Sequence, residues 1–127
     1  MNLNRKPTVK LDDYQYSAIR TVAYPGLGTA LGLLYTSLGL GNEAGEVLGK
    51  VKKLVRDDNG DMLITGNLEI SDEKRKAIAG ELGDVLWYLA MVATEMNLSL
   101  NDIAFENIEK LADRKERGVL KGDGDNR

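Results

Sequence analysis

The only prolines, Pro7 and Pro25, fall in the first quarter of the chain. Beyond residue 25 no pyrrolidine ring removes a backbone amide or clashes with the preceding turn, so long helices are permitted. Four are predicted. The first runs Leu11 to Val22, with Asp12 and Asp13 complementing the positive end of its dipole. Pro25 and Gly26 end that region, and the second helix runs Thr29 to Arg56. Asp57 to Ile70 contains Asp-Asp-Asn-Gly-Asp and Thr-Gly-Asn, which predicts a loop with a short hairpin around Met62 to Thr65. Ser71 caps a third helix reaching Met96. Ser99 and Asp102 form a capping box for a fourth, Leu100 to Arg117, which Gly118 stops. The fold class is therefore all-α. With 127 residues the chain is one domain, and its polar, glycine-containing end, 121–127, is expected to be a flexible tail.

Two absences narrow the chemistry. There is no cysteine, hence no disulfide, zinc-thiolate site or thiol nucleophile. There is no histidine, hence no Ser-His-Asp triad and no histidine ligand or base. A ferritin-like di-iron bundle, which needs Glu-x-x-His twice, is excluded on the same count. Any catalysis falls to carboxylates, lysines, tyrosines or water. The net charge is -3, which supplies no global basic field for a nucleic-acid backbone, so nucleic acid is not expected as a partner. Met1 to Lys10 carries no apolar signal-like run, and the apolar stretch Gly26 to Leu40 is too short and too interrupted to span a bilayer. The expectation is a cytoplasmic protein without a membrane partner.

The acids fall in pairs. Glu43 and Glu46 are three apart on the second helix, and Glu81 and Asp84 three apart on the third. Residues three apart share a helix face. At about 100° per residue, Glu46, Lys50 and Lys53 lie near Glu43, while Val47, Leu48, Val51, Leu54 and Val55 take the opposite side. Gly41, Gly45 and Gly49 form a third strip that invites close approach of another helix or a symmetry mate. On the third helix Asp84, Tyr88, Met91 and Glu95 cluster beside Glu81, Trp87 flanks them, and the apolar arc is broad enough to predict a central helix. If the two helices pack antiparallel, four carboxylates converge and require a positive partner. All-oxygen ligands select a hard cation, Mg²⁺ with Mn²⁺ able to substitute. Against this stands the ordinary reading of Glu-x-x-Glu as solvated surface charge, with Glu46 paired to Lys50. The strongly apolar setting of Gly80 to Leu89 favours the ligand reading.

Leu40-Gly41-Asn42-Glu43-Ala44-Gly45-Glu46-Val47 and Glu81-Leu82-Gly83-Asp84-Val85-Leu86-Trp87-Tyr88 resemble the two acidic motifs of the MazG-like nucleoside triphosphate pyrophosphohydrolases. Tyr14-Gln15 and Asn107-Ile108-Glu109-Lys110-Leu111 with Arg114 are similar to further family stretches in the same order. The 34 residues between Glu46 and Glu81 exceed the usual spacing, with Asp57 to Ile70 as the excess. The resemblance implies a four-helix, MazG-type bundle completed by assembly into homodimers or homotetramers. It implies a nucleotide substrate, magnesium, and Glu43, Glu46, Glu81 and Asp84 as ligands, with Glu43 or Glu46 also able to take a proton from water.

Lys50 and Lys53 read either as a solvated basic face or as phosphate contacts. Lys110 and Arg114 share a face and, with Asn107, match the family's substrate-binding pattern. Trp87 and Tyr88 read as base-stacking rings or as core. Three look-alikes fail on spacing. From Asp57 a calcium loop would need glycine where Met62 stands and glutamate where Leu68 stands, Gly45 to Lys50 is one residue short of a P-loop, and neither Gly-x-Gly extends to a dinucleotide fingerprint. The activity expected is hydrolysis of a (deoxy)nucleoside triphosphate to monophosphate and pyrophosphate. The alternatives are a related nucleotide, such as phosphoribosyl-ATP or one pyrimidine triphosphate, and a non-catalytic helical interaction module.

Overall fold

The computed structural model describes residues 5–57, 64–66 and 70–126. Among the described residues four main helices make up the fold and no strand occurs. They are α1 Leu11–Ile19, α2 Ala30–Asp57, α3 Asp72–Glu95 and α4 Leu100–Glu116. The hairpin expected around Met62 to Thr65 falls largely outside the described residues, and Ile64 and Thr65 are helical.

The caps explain the boundaries. Ser71 Oγ accepts from the Lys74 amide and Ser99 Oγ from the Asp102 amide, each satisfying an amide that the helix start leaves without a partner. Asn97, at φ 56°, ends α3, with the Leu98 amide returning to Ala93 O. Gly118, at φ 73°, ends α4 in the same way, with the Val119 amide returning to Arg114 O. Helix α1 stops at Ile19, short of the expected Val22. The Thr21 hydroxyl and amide both bond Ala18 O, tightening the chain into a turn that the hydroxyl stabilises.

Helices α2 and α3 lie antiparallel in one register: Lys50 meets Glu81, Gly39 meets Tyr88, and Gly32 meets Glu95. On α3 the facing residues Lys74, Glu81, Tyr88 and Glu95 recur every seven positions, the repeat of two helices wound along each other. These four α3 positions are polar, so the seam carries polar groups as well as apolar ones. Close approach occurs at Gly32 and Gly39, where a side chain would run into Glu95 and Tyr88, and not at Gly41, Gly45 and Gly49, which face open space in the single chain.

The core is small and off to one side. Ala18, Tyr24, Ala90, Met91 and Leu100 pack where α1, α3 and α4 meet. Gln15 ties that corner, its amide donating to Thr94 Oγ1 and Leu98 O and its carbonyl accepting from the Leu100 amide. Helix α3 holds the expected central position, packing on both α2 and α1 and burying Ala90, Met91 and Ala93, while Leu82 and Leu89 on its remaining face are exposed. On α2, Leu54 is buried but Leu38 and Leu48 are 66% and 69% exposed, so a stripe including Leu31, Leu34, Leu38 and Leu48 has no cover among the described residues. By length and composition α3 is also apolar enough to cross a membrane, as the stretch Gly26 to Leu40 is not. It carries Glu81 and Asp84 near mid-length, where a bilayer makes charge costly.

Candidate metal and nucleotide site

The α2–α3 register brings Glu43, Glu81 and Asp84 together, with one carboxylate oxygen from each lying within 4.8 Å of the others. No single helix can do this. The i, i+3 step aligns Glu81 with Asp84 on α3, and only the antiparallel neighbour adds Glu43 from across the groove. Glu43 and Glu81 are half-buried and Asp84 is exposed. Glu46 is exposed and stands outside the group of three among the described residues.

Three carboxylates this close repel one another, and half-burial removes part of the water that would screen them. Among the described residues one cation pairs with them. Lys50 Nζ lies 3.2 Å from Glu81 Oε1. The i, i+4 partner that the sequence suggests for Lys50, Glu46, is therefore not the one it takes; the inter-helix register wins. A single ammonium against three carboxylates leaves the group short of positive charge. The donor set is all oxygen, from two helices, with one ligand at the accessible edge, and it fits a divalent hard cation that keeps positions open for water or substrate.

Next to the acids lies an aromatic cavity of about 250 Å³, lined by Thr21, Tyr24, Tyr35, Trp87 and Tyr88 among others. Trp87 Nε1 donates to Thr21 Oγ1 at 2.8 Å, and its ring stands edge-on to both Tyr24 and Tyr88. Tyr24 and Tyr35 stack at 5.5 Å, and Tyr24 donates to Glu95 at 2.6 Å. Trp87 packs against the core cluster, as its core reading expects, and also lines the cavity. The Tyr88 phenol is raised above its ordinary pKa, first by burial and then by Tyr35, Glu43 and Asp84. Burial and then Asp84 raise Tyr14 in the same direction. Both phenols are thus held as neutral donors beside the acids.

Lys50 and Lys53 line a pocket at the other end of the seam. Asn107 and Lys110 line a separate cavity on α4, of about 450 Å³, with Ile103 and Glu106. Arg114 is buried and donates to Asp125 O at 2.8 Å and Asp125 Oδ1 at 3.3 Å, so the polar tail folds back on α4. The structure therefore brings Lys50 and Tyr88 to the carboxylates and sets Asn107, Lys110 and Arg114 on a helix that packs chiefly on α1.

Tyr24 and Tyr35 were missed by sequence reasoning. The signal for Tyr35 is its position two turns before Glu43 on the same helix; Tyr24 sits in the Pro25 turn, whose course no periodicity predicts.

Residues 33–119 match the family model of the MazG nucleotide pyrophosphohydrolase domain, a span holding all four acids. The chain is 42% identical over 120 residues to Gene 37 protein of Mycobacterium phage L5, covering 92% of this chain and 98% of that protein. No solved structure matches the chain.

Proposed function

The chain belongs to the MazG nucleotide pyrophosphohydrolase family, and on that premise we propose that it hydrolyses a (deoxy)nucleoside triphosphate to the monophosphate and pyrophosphate in a magnesium-dependent reaction. The observation that carries this reading is the convergence of Glu43, Glu81 and Asp84 across two helices, within 4.8 Å. These three would hold the Mg²⁺, or Mn²⁺ in its place. When bound, the ion supplies charge neutralisation for phosphate oxygens and a lowered pKa for water.

The chain's own residues do the rest. Glu46, one turn beyond Glu43 on the same helix, would accept the proton of the attacking water. A water oxygen bonds to phosphorus as the α–β bridge breaks, and the pyrophosphate departs with the bridging oxygen and its electron pair. Lys50 and Lys53 offset the charge that develops on the leaving group. Trp87 and Tyr88 orient the base end. A cytoplasmic setting, without a nucleic-acid or membrane partner, goes with a small-molecule substrate of this kind.

The test is incubation with a panel of nucleotides, phosphoribosyl-ATP and pyrimidine triphosphates included, with products separated by chromatography. Monophosphate and pyrophosphate appear in equal amounts with Mg²⁺ and vanish in EDTA. Diphosphate with orthophosphate, or full turnover in excess chelator, contradicts the proposal, and no turnover of any nucleotide favours a non-catalytic module.

The uncovered apolar stripe of α2 and the exposed Leu82 and Leu89 of α3 support assembly into a homodimer or homotetramer. Light scattering at micromolar concentration is expected to give a mass of two or four chains, and a monomer contradicts it.

A further inference from the structure

Past the carboxylates the α2–α3 seam widens into a pocket of about 180 Å³, lined chiefly by apolar surface, with Leu54, Ala77 and Ile78 among its residues and Lys50, Lys53, Lys74 and Asp57 bringing the charged groups. We propose that this pocket is the subsite for the two terminal phosphates, the pyrophosphate that leaves, and that Lys74 is a substrate-binding residue there. The inference rests on the cleavage proposed above and adds the direction in which the substrate lies.

Lys50 links the two sites: it bonds Glu81 of the carboxylate group and lines the pocket. An anion in the pocket therefore lies directly beside the point of cleavage. Of the three ammonium groups lining the pocket, Lys50 is shared with Glu81 at 3.2 Å and Lys74 with Asp57, the pocket's one carboxylate. That carboxylate, Asp57, is already answered by Arg56 at 2.9 Å and Lys74 at 3.7 Å, and its pKa is lowered chiefly by the hydrogen bond from Arg56. Among the described residues Lys53 has no ion-pair partner within 4.0 Å.

Size and direction agree. The volume is small beside the roughly 300–1,000 Å³ of pockets that enclose whole drug-sized ligands, which suits a diphosphate and not a nucleoside. Lys74 stands seven residues before Glu81 on α3 and Tyr88 seven after it, so each end lies about 10 Å from the acids along the helix. A nucleoside triphosphate cleaved at its first phosphate extends from that point in two directions, base one way and pyrophosphate the other. The seam offers rings at one end and lysines at the other.

The test compares wild type, Lys74→Ala and Lys76→Ala; Lys76 is an exposed lysine on the same helix that does not line the pocket. Loss of the exposed Lys74–Asp57 pair costs little stability, so the variant folds. Inhibition constants are measured for inorganic pyrophosphate and for the nucleoside monophosphate. Lys74→Ala is expected to weaken pyrophosphate inhibition about tenfold, the loss of one charge-assisted contact, and to leave monophosphate inhibition unchanged. Lys76→Ala is expected to change neither. The proposal is overturned if Lys74→Ala leaves pyrophosphate inhibition intact, weakens both products equally, or is matched by Lys76→Ala. Calorimetric titration of wild type and Lys74→Ala with magnesium pyrophosphate decides the subsite even if the hydrolysis reading fails: binding by wild type that the variant loses supports it, and equal binding or none overturns it.

Discussion

Asp84→Asn is expected to reduce kcat by about a hundredfold to a thousandfold, the scale on which removal of a preorganised charge contact is felt, while the protein stays folded. Asp84 is the exposed member of the three-carboxylate group. The substitution keeps its shape and removes its charge, so the cation loses a ligand and the substrate loses the charge compensation that the cation brings. Without metal the same change relieves repulsion on Glu43 and Glu81, and the apo protein should melt at the wild-type temperature or above it. A structural ion pair behaves oppositely, because breaking it lowers stability and activity falls only through unfolding. Far-UV circular dichroism melts alongside steady-state kinetics separate the two. A variant that melts several degrees lower and keeps its turnover when folded contradicts the assignment.

Gly39→Leu is expected to be the most damaging single change to the fold. A side chain there enters the space of the Tyr88 ring. The ring has little freedom to leave, since it stands edge-on to Trp87 at 5.0 Å, and Trp87 is tied to Thr21 at 2.8 Å. Helix propensity favours the substitution by up to about 1 kcal/mol, and overpacking opposes it by about 1–3 kcal/mol or more. Moving α2 off α3 would also separate Glu43 from Glu81 and Asp84. A melting temperature about 5–10 °C lower, with activity lost even in the folded fraction, is the expected result. The control is Gly45→Ala, at a position facing open space in the single chain. Equal melting of Gly39→Leu and wild type would mean that the seam does not close at Tyr88.

Local chemistry was legible in the sequence, and the register between helices was not. Ser71, Ser99 and Gly118 marked helix ends because capping is written in neighbouring residues. The paired acids were legible because a three-residue step fixes a shared face. Which acids meet depends on how far α2 slides along α3, and a helical wheel is blind to sliding. That is why Glu46, equivalent to Glu43 by angle, stands outside the cluster, and why Lys50 pairs with Glu81. Within the chain the close approach comes at Gly32 and Gly39, which the spacing of Gly41, Gly45 and Gly49 does not reveal. Lys74 carried a usable signal, one heptad before Glu81, as Tyr88 is one heptad after it. The small core was not legible, since Leu38 and Leu48 look like core in any single chain and are exposed in this one.

The central claim is that Glu43, Glu81 and Asp84 hold the divalent cation on which cleavage depends. The Mg²⁺-induced shift in melting temperature, measured for wild type and Asp84→Asn across a Mg²⁺ titration, tests it most directly. Binding to the native state stabilises by mass action, so wild type should gain several degrees as Mg²⁺ rises into the millimolar range. Asp84→Asn should start as high or higher and gain little. A variant that starts lower and retains the whole Mg²⁺ shift would show that the cation binds without Asp84, and the account of this site would be wrong.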